Sequence, residues 1–457
     1  MSLSPIFRSF SIDLLAVLVI AGAGSIASAH PDHDAKPRAY DLADHFRPTP
    51  IPDRVVLTWS DDPATTIDIT YRTAPGVEPT LCQWVEASRI LGDHASGAVP
   101  ESEQTEGTSE PFTSDRGDCL MHSIALRKLA PETRYAYRVG DGVNWSEWHH
   151  YTTASRDAKP FEFLYFGDAQ NAVRALWSRV RREAHADAPR AAFALHAGDL
   201  INASNADTEW GEWHGAAGWL NATVPTVATP GNHEYFIRKL QLTVSDHWRP
   251  QFSFPLNGPE GLEETCYWFD YQGTRFISLN SNEKQEEQAE WLDRTLSDLP
   301  PARWTIVTFH HPIFAAAKNR DNSTLRELWK PIFDKHQVDL ALTGHDHAYA
   351  RSGLGGPGDQ MVGAENAGEG VSTKEGKTVY VVSVSGPKSY PLGQAWDEPR
   401  SGSGIQLYQV ISVDTGSIRY RAFCASGELY DAFTIEKDVD GAVELIEQAP
   451  ETPEIRK

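Results

Sequence analysis

Short runs of alternating apolar and polar residues, separated by turn residues, dominate the chain between residues 51 and 153. The alternation, with many β-branched and aromatic residues, predicts strands at residues 55–59, 67–71, 120–126 and 134–139. Residues 92–118 are rich in Gly, Ser and acids, which predicts a long loop. We therefore expect an all-β sandwich over residues 40–155.

The pattern changes beyond a polar linker at residues 154–160. Apolar runs then alternate with amphipathic stretches, as in α/β domains. The predicted strands are residues 161–166, 191–197, 275–279, 304–309, 338–342 and 378–384, and the predicted helices are residues 172–188, 286–299 and 323–335. A Gly-rich loop is expected at residues 353–376, and further strands are expected at residues 406–413, 418–422 and 432–435. The second domain should span residues 160–440, with a flexible tail at residues 441–457.

The N-terminus has the pattern of an export signal. Arg8 precedes an apolar run at residues 14–24, and Ala27-Ser28-Ala29 has the small-residue spacing of a signal-peptidase site. The run falls short of the roughly 20 residues that a membrane-spanning helix needs, which argues against a stable membrane anchor. We expect residues 1–29 to be a signal peptide cleaved after Ala29, and the mature protein to be secreted or periplasmic.

The net charge of the chain limits the classes of ligand that we expect it to bind. The chain of 457 residues has 63 acidic and 41 basic residues and a formal net charge of −22. A nucleic-acid partner is not expected, because phosphate backbones are bound by Lys and Arg. A small anionic ligand stays compatible with this charge if bound metal ions supply positive charge locally.

The four cysteines form an even set in a chain that is expected to enter an oxidising compartment. They lack CxxC spacing, which argues against a cysteine metal site. Three pairings are open. We favour Cys82 with Cys119 inside the first domain and Cys266 with Cys424 inside the second.

Five short motifs follow predicted strands of the second domain. They are Gly167-Asp168-Ala169-Gln170, Gly198-Asp199-Leu200, Gly231-Asn232-His233-Glu234, His310-His311-Pro312 and Gly344-His345-Asp346-His347. Each motif alone has a common structural explanation: Gly-Asp after a strand is usually a turn or helix cap, Asn232 fits an Asx-turn, and His345 and His347 fit surface positions. Together, and in this order, they place oxygen and imidazole ligands at the edge of an α/β sheet where ligands bind. The mixture of imidazole and carboxylate suits zinc, iron or manganese.

The series of five motifs resembles the calcineurin-like metallophosphoesterase superfamily, and the preceding sandwich resembles that of the purple acid phosphatases. Leu57-Thr58-Trp59 and parts of residues 131–140 and 305–314 support the likeness. The resemblance implies a fibronectin-III-like sandwich followed by an α/β domain, in which two mixed sheets are flanked by helices in four layers, α/β/β/α. It also implies a centre of two divalent metal ions, Fe, Zn or Mn.

The roles in the family carry over residue by residue. The implied set is Asp199 bridging both metals, Asp168 and His347 on the first metal, Asn232, His310 and His345 on the second metal, His233 and His311 on the substrate phosphate, and Glu234 and Asp346 orienting ligands.

Two positions depart from the family pattern. Purple acid phosphatases carry a metal-binding Tyr where this chain has Asn202, and many other members carry a His where it has Gln170. The first metal therefore lacks both usual extra ligands, and a Tyr-bound ferric ion is not expected. Gln170 offers an amide oxygen, so we count it as a candidate ligand of this metal, direct or through water.

The expected function is hydrolysis of phosphomonoesters by a metal-bound hydroxide, because metal binding lowers the pKa of water and a second metal neutralises the phosphoryl oxygens. A phosphodiesterase of the same superfamily shares the ligand set and is the nearest alternative. An exported binding or adhesion protein with a vestigial metal centre is a third possibility, and the intact ligand series counts against it. The expected partner is a small-molecule phosphate ester.

A few other residues near the motifs have two interpretations. Trp210 and Trp213 line a substrate wall or pack in a core, and packing is the commoner case. His196, at the end of a predicted strand, is expected to be a core residue with its hydrogen bonds satisfied. Tyr349 and Arg351 follow the last motif and are candidate substrate contacts.

Overall fold

The structure is a computed structural model in which residues 42–90, 101–357, 376–393 and 399–456 are described. The signal peptide expected at residues 1–29 lies outside the described residues, as does most of the Gly-rich loop expected at residues 353–376. Within the described part of the chain, no helix combines the length and the apolar character needed to cross a membrane.

The first domain is the expected β-sandwich. A short helix, α1 (Leu42–His45), precedes the strands β1 (Asp53–Thr58), β2 (Ile67–Thr73), β3 (Leu81–Glu86), β4 (Glu103–Glu106), β5 (Thr108–Ser114), β6 (Gly117–Leu126), β7 (Arg134–Gly140) and β8 (His149–Thr152). The strands form two four-stranded sheets with the orders β1-β2-β6-β5 and β4-β3-β7-β8. Apolar side chains from both sheets share one core, so the sandwich is confirmed.

The long loop expected at residues 92–118 is wrong for its second half. Residues 92–100 lie outside the described part, but residues 103–114 contain β4 and β5, and β5 pairs with β6 along its whole length. Every side chain of β5 is exposed or half-buried. The strand is therefore held by backbone pairing at a sheet edge, and its sequence lacks the apolar alternation that would have revealed it.

The second domain is built around two larger sheets. Its strands are β9 (Phe161–Phe166), β10 (Ala194–His196), β11 (Thr226–Ala228), β12 (Tyr235–Arg238), β13 (Gln241–Val244), β14 (Tyr267–Tyr271), β15 (Thr274–Ser278), β16 (Trp304–Phe309), β17 (Leu340–Thr343), β18 (Tyr349–Arg351), β19 (Val379–Val382), β20 (Arg400–Gly402), β21 (Leu407–Val413), β22 (Ser417–Cys424), β23 (Leu429–Lys437) and β24 (Val443–Glu447). The first sheet has the order β11-β10-β9-β21-β22-β23-β24, and the second has the order β14-β15-β16-β17-β19-β18-β20. Both sheets mix parallel and antiparallel pairs, as expected.

Helices cover the outer faces of the two sheets. They are α2 (Ser178–Asp187), which follows a π-helical turn (Val173–Trp177), α3 (Asp207–Ala217), α5 (Gln285–Asp298) and α6 (Ser323–Lys335). The short helix α4 (Trp248–Gln251) lies against β2 and β6 of the sandwich. Alternation along β16 separates the layers: Trp304 and Ile306 belong to the core between the sheets, whereas Val307 and Phe309 belong to the core under α5 and α6. Trp210 and Trp213 of α3 are fully buried against the first sheet's side. The four-layer α/β/β/α arrangement follows.

Part of the C-terminal tail forms a strand, which corrects the flexible tail expected at residues 441–457 for that part. Its first part is β24, which pairs with β23 at the edge of the first sheet. Farther on, Arg400 Nη2 donates to the Thr452 carbonyl at 2.7 Å, and the Ser401 backbone N–H donates to Glu454 Oε1 at 2.7 Å. The second domain therefore extends well past residue 440.

Aromatic side chains make the core continuous across the two domains. The ring of Trp59, in the sandwich, lies 5.8 Å from that of Phe193, 5.9 Å from Phe269 and 5.7 Å from Tyr271, all in the second domain. The cluster that contains these rings includes buried residues of both domains. The sandwich thus packs through its core against the α/β domain.

A buried ion cluster also joins the domains. Asp207, the first residue of α3, accepts hydrogen bonds from Arg54 Nη1 at 2.8 Å and from Arg72 Nη1 at 3.3 Å, and both arginines belong to the sandwich. These three side chains are at most 5% exposed. Burial acts to raise the pKa of Asp207, but the two arginine charges outweigh it and lower this pKa. The interface therefore depends on an ionised carboxylate.

Asp207→Asn is expected to lower the free energy of unfolding by about 3–5 kcal/mol, because it leaves two buried guanidinium groups without their shared carboxylate. Since the folded pKa lies below the unfolded value of about 3.9, this stabilisation is present above that value and is lost as the pH falls through the folded pKa. Urea denaturation at neutral and acidic pH measures both effects. The control is Asp246→Asn in the exposed pair with Arg238, for which we expect about 0–1 kcal/mol. Equal losses in the two variants would contradict the prediction.

The disulfides expected from the four cysteines are wrong, since all four thiols are free. Cys82 lies on β3 and Cys119 on β6, in opposite sheets of the sandwich. Cys266 belongs to the core under α5 and α6, whereas Cys424 packs against the core between the sheets. Each expected pair is therefore divided between different layers of the molecule.

Candidate metal centre

Four strand ends meet where the two central sheets face each other. Asp168 and Asp199 follow β9 and β10 of the first sheet, and His310 and His345 follow β16 and β17 of the second. Each of these strand pairs is parallel, so the carboxyl ends lie at the same edge. The packing of the sheets brings the two edges together, as shown by the 3.3 Å between Asp199 Oδ2 and His310 Nε2.

Asp168, Asp199 and His347 form a first cluster of potential metal ligands. One ligand atom from each residue lies within 4.8 Å of the others, and all three residues are buried. His347 Nε2 is 3.2 Å from Asp168 Oδ2. The structure thus brings together Asp168 and His347, which the sequence predicts as ligands of the first metal, and Asp199, which it predicts as the bridging carboxylate.

His310, His311 and His345 form a second cluster, within the same 4.8 Å. Asn232 Oδ1 lies 3.2 Å from His310 Nε2 and 3.0 Å from His345 Nδ1, so the amide oxygen belongs to this cluster. The rings of His311 and His345 have their centroids 4.1 Å apart. The position of His311 therefore fits a metal ligand as well as the substrate contact that the sequence predicts.

Asp199 lies between the two clusters. Its Oδ2 accepts a hydrogen bond from Gln170 Nε2 at 2.6 Å and faces His310 Nε2 in the second cluster. Its Oδ1 accepts the backbone N–H of His233 at 2.9 Å. Both carboxylate oxygens are therefore directed by hydrogen bonds, in a position suited to a bridging ligand.

The buried charges favour a pair of cations at this place. Burial raises the pKa of Asp168 to about 7. Burial acts to raise the pKa of Asp199 as well, but the charge of His310 outweighs it and lowers this pKa to about 2. Asp168 Oδ2 is buried and accepts no hydrogen bond from the residues that the structure describes. Buried carboxylates that converge with imidazole nitrogens fit divalent metal ions such as Fe, Zn or Mn.

Three candidate ligands have left-handed backbone conformations. The angle φ is 52° at Asp199, 72° at His345 and 47° at His347. Residues with a Cβ rarely adopt positive φ, and each instance costs on the order of 1–3 kcal/mol. Backbone strain at several candidate ligands is typical of functional sites. There, the correct orientation of a side chain is retained at a cost in local stability.

Two motif glycines make room for the carboxylates. A Cβ at Gly231 would lie 2.2 Å from Asp199 Oδ1, and a Cβ at Gly344 would lie 2.2 Å from Asp168 Oδ1. Real Cβ atoms do not approach other atoms this closely, so any side chain there displaces the carboxylate. Glycine in these motifs is required by close approach of the backbone to the candidate ligands.

Gly231→Ala is expected to weaken metal binding by roughly 10–100-fold, as happens when ligand orientation is disturbed. The added methyl group pushes against Asp199 Oδ1 and the Asp199 backbone nitrogen. Metal titration of the purified variant measures the loss. Gly353→Ala is the matched control, because a Cβ there meets nothing within 4 Å. Unchanged affinity in Gly231→Ala would show that Asp199 is not a ligand.

Glu234 ties two of the motifs together. Its carboxylate accepts backbone N–H bonds from Asp199 and Leu200 at 2.8 Å each and from Gly231 at 2.6 Å. Burial and the Asp199 charge raise the pKa of Glu234 to about 8. The side chain thereby holds the turn that carries Asp199, in line with the orienting role expected from the sequence.

Asp346 contacts a neighbouring loop and Arg320, and its expected role in orienting ligands stays a prediction. Its Oδ2 accepts the backbone N–H groups of Ala316 and Ala317, the latter at 3.0 Å. Its Oδ1 lies 3.4 Å from Arg320 Nη1, which also donates to the His345 carbonyl at 3.1 Å. Asp346 thus acts on the motif through Arg320.

His233 and His311 are each held through the Nδ1 atom. His233 Nδ1 bonds the Asn202 carbonyl at 2.6 Å, and its Nε2 lies 4.0 Å from Asp199 Oδ2, with 27% of the side chain exposed. His311 Nδ1 bonds Ser281 Oγ at 2.8 Å. Each ring is therefore fixed while its Nε2 stays available to a ligand in the centre.

Gln170 presents its amide nitrogen to Asp199, and its expected role as a metal ligand, direct or through water, stays a prediction. Gln170 Nε2 donates to Asp199 Oδ2 and lies 3.3 Å from His347 Nε2. Its amide oxygen accepts from Asn171 Nδ2 at 3.2 Å. In this orientation Gln170 is a hydrogen-bond donor to the central carboxylate, and ligation through oxygen requires the amide to rotate by half a turn.

Sequence reasoning missed several residues around the centre. The Tyr390 ring lies 4.8 Å from that of His347, and its face is covered by Arg320 at 4.8 Å and Lys388 at 5.3 Å. These contacts come from loops without a periodic pattern. Ser281, by contrast, follows β15, so the same strand-end signal that marks the motifs was available for it.

Tyr349 and Arg351 are structural residues, which corrects their expected contact with substrate. Tyr349 Oη donates to Asp431 Oδ2 at 2.6 Å, and Arg351 donates to the same carboxylate at 2.8 Å. Arg351 Nη2 also donates to Glu447 at 2.7 Å. Both side chains are fully buried, and they hold β18 of the second sheet against β23 and β24 of the first.

Comparisons with known proteins agree with the domain order. Residues 161–349 match the family of calcineurin-like phosphoesterases, and residues 52–153 match the purple acid phosphatase N-terminal domain. Probable purple acid phosphatase 20 of Arabidopsis thaliana is 25% identical over 74% of this chain and 78% of its own length. Acid phosphatase type 7 of Mus musculus is 26% identical over 62% of this chain and 70% of its own length. The chain spans about half, 49%, of purple acid phosphatase 15 of Arabidopsis thaliana, at 25% identity over 51% of this chain.

Solved structures show the same fold. A purple acid phosphatase from yellow lupin (Lupinus luteus) seeds superposes with a TM-score of 0.69 at 18% identity, over 85% of this chain and 75% of that chain. PhoD superposes with a TM-score of 0.61 at 13% identity, over 89% of this chain and 94% of that chain. At these identities the likeness shows the fold, a sandwich in front of a two-sheet α/β domain.

Proposed function

Because the chain belongs to the calcineurin-like metallophosphoesterases with a purple acid phosphatase N-terminal domain, which are metal-dependent phosphoric ester hydrolases, we propose that it is an exported phosphatase that cleaves phosphomonoesters. The observation that carries the proposal is the pair of ligand clusters joined by one carboxylate, Asp199. Such a pair suits two divalent metal ions.

The proposed ligand set follows the clusters. It consists of Asp168 and His347 for the first metal, Asn232, His310 and His345 for the second, and Asp199 for both. A dinuclear centre supplies an activated water nucleophile and neutralises the phosphoryl oxygens. The remaining residues bind and orient the ester.

Ser281 determines which nitrogen of His311 carries the proton. Its Oγ accepts the backbone N–H of His311 at 3.0 Å, so its own hydroxyl proton is free to donate to His311 Nδ1. Burial and the charge of His310 lower the pKa of His311 to about 3, so the ring is neutral. Its proton then resides on Nε2, where it can donate to a phosphoryl oxygen or to the leaving oxygen.

Two cations beside the first cluster favour monoesters over diesters. Arg320 and Lys388 cover the ring of Tyr390, which lies against His347. A phosphomonoester carries up to two negative charges at neutral pH, whereas a diester carries one. Because Coulomb attraction grows with charge, this wall binds the monoester more strongly.

Assays with a chromogenic monoester and the matching diester, each with added Zn, Mn or Fe, test the proposal. We expect the monoester to be hydrolysed faster with at least one of these metals, and metal analysis to give two ions per chain. Faster cleavage of the diester would assign the chain to the phosphodiesterases. Absence of both activities at two bound metals would support a binding protein instead.

The purified protein is expected to lack a visible phenolate-to-iron absorption band, even after reconstitution with iron and oxidation. Asn202 replaces the family's metal-binding Tyr and contributes its backbone carbonyl to His233. Gln170 faces Asp199 as a donor. The first metal thus has few anionic ligands and prefers a divalent ion. An absorption spectrum of the isolated protein checks this, and a purple colour would contradict it.

Export is part of the proposal. It rests on the apolar run at residues 14–24 and the small-residue site that ends at Ala29. N-terminal sequencing of the protein recovered from outside the cytoplasm should begin at His30. An intact Met1 on protein retained inside the cell would contradict export.

A further inference from the structure

A buried guanidinium group behind the metal-ligand strands has no counter-charge in hydrogen-bonding contact. Arg181 lies on α2 and has none of its surface exposed. Its Nε, Nη1 and Nη2 atoms all lack a hydrogen-bond partner among the residues that the structure describes. Burial lowers the pKa of Arg181 to about 10, so the group is still protonated at neutral pH. A charge in this position is strongly unfavourable unless something compensates it.

The other buried arginines that the structure describes all have acceptors. Arg54 and Arg72 share the carboxylate of Asp207, and Arg351 is paired with Asp431 and Glu447. Arg275 is paired with Asp270, and Arg400 donates to the carbonyl groups of Tyr430 and Thr452. Arg181 differs from all of them.

Two further buried polar side chains, connected to Arg181 through a row of packed rings, also lack partners. Its guanidinium carbon lies 5.5 Å from the Phe166 ring, which stacks 5.2 Å from His196, and His196 lies 5.6 Å from Trp213. Within the described chain, neither ring nitrogen of His196 nor the Trp213 Nε1 has a hydrogen-bond partner. The expectation that the hydrogen bonds of His196 are satisfied is therefore wrong for the protein atoms alone.

These groups are almost all donors. A guanidinium has five N–H donors and no acceptor, and an indole has one donor. Burial and the Arg181 charge lower the pKa of His196 to about 3, so its ring is neutral and contributes one N–H and one acceptor nitrogen. A ligand that satisfies this set accepts hydrogen bonds and carries negative charge.

We propose that Arg181, His196 and Trp213 bind a small monovalent anion, of the size of a halide ion, between the first sheet and α2 and α3. One negative charge balances the single guanidinium. The ring of Trp177 packs against the same residues, 6.0 Å from His196 and 6.4 Å from Trp213. Rings at these separations are in contact with each other, so the surroundings of the guanidinium group favour a monatomic ion over the larger phosphate or sulfate ion.

The anion site lies directly behind the candidate metal centre. Phe166 and His196 are the last residues of β9 and β10. The turns that follow these two strands carry Asp168 and Asp199. Occupancy of the site thus stabilises the strand ends from which two metal ligands project, without contact between the anion and the metals.

Thermal unfolding of the full-length protein tests the proposal. The midpoint is measured in chloride or bromide and in gluconate, at constant ionic strength. We expect a saturable rise in the wild-type midpoint with either halide. Arg181→Met should abolish this rise and should melt no lower than the wild type in gluconate, because it removes an uncompensated buried charge. Arg182→Met, at the exposed neighbouring position on α2, should keep the full halide response.

A milder variant and crystals complete the test. Trp213→Phe preserves packing and removes one donor, so it should weaken the halide effect by roughly 10-fold or more even if Arg181→Met fails to fold. Crystals grown in bromide should show an anomalous peak beside Arg181. The proposal would be overturned if the wild-type midpoint did not respond to halide. An anomalous peak without such a response would mark an adventitious ion only. Ordered water in place of bromide would also overturn the proposal.

Discussion

Replacement of Asp199 by alanine is expected to abolish phosphate-ester hydrolysis and metal loading together. Asp199 lies between the two ligand clusters, and its Oδ2 faces His310 Nε2 at 3.3 Å. Without the shared carboxylate, two cations about 3.5–4 Å apart repel each other with no anion between them. Turnover and metal content of the purified variant, measured on the same sample, check both parts.

Asp199→Asn separates charge from shape. The amide keeps an oxygen that can accept the His233 N–H, but it lacks the negative charge, so we expect a folded protein that binds fewer than two metals. Asp246→Asn, at an exposed ion pair, is the control and should leave both quantities unchanged. Near-normal turnover with two metals in Asp199→Ala would refute the assignment of the bridge.

His311→Asn should reduce turnover by about 10²–10⁴-fold while leaving metal content nearly intact, because it removes a proton donor aimed at the substrate. The same expectation holds for His233, which is fixed by the Asn202 carbonyl and is partly exposed. Steady-state kinetics and metal analysis of each variant measure the loss of turnover and the metal content separately. Loss of one metal in His311→Asn would instead make His311 a ligand of the second cluster, beside His310 and His345.

Ser281→Ala distinguishes positioning from catalysis. The hydroxyl group fixes the His311 ring and its tautomer through Nδ1, so its removal should lower kcat by less than His311→Asn does and leave KM almost unchanged. Ser281→Thr keeps the hydroxyl and should restore most of the rate. An identical loss in the alanine and threonine variants would show that bulk, and not the hydrogen bond, matters at this position.

Elements with a strong apolar pattern, either buried strands or an amphipathic helix, could be predicted from the sequence with close bounds. Residues 161–166, 304–309 and 323–335 were predicted as strand, strand and helix, and they are β9, β16 and α6. Their apolar runs end in polar or turn residues, so the pattern records both burial and boundaries. The edge strands β5 and β24 were not predicted. They are held by backbone pairing, so their sequences do not need a regular alternation of apolar and polar residues.

The candidate ligands could be predicted for a topological reason. Parallel strands of one sheet direct their carboxyl ends to the same edge, so the motifs after β9 and β10 lie together, as do those after β16 and β17. The packing of the two sheets then brings these two sets of motifs together. Tyr390, Arg320 and Lys388 could not be predicted, because their approach to His347 depends on the conformations of long loops. The prediction of disulfides was wrong for a related reason. An even number of cysteines does not show whether any two of them lie close enough to form a bond.

The aromatic contacts of Trp59 bear on how this protein could be divided or recombined. Its ring reaches Phe193, Phe269 and Tyr271 across the domain boundary. A polypeptide cut at residues 154–160 would expose those rings to water, so each half should aggregate when expressed alone. Exchange of the sandwich with that of a relative should succeed only when the partners of Trp59 are exchanged with it. The linker at residues 154–160 therefore separates two domains of different fold. The two domains nevertheless cannot be evolved or engineered independently of each other.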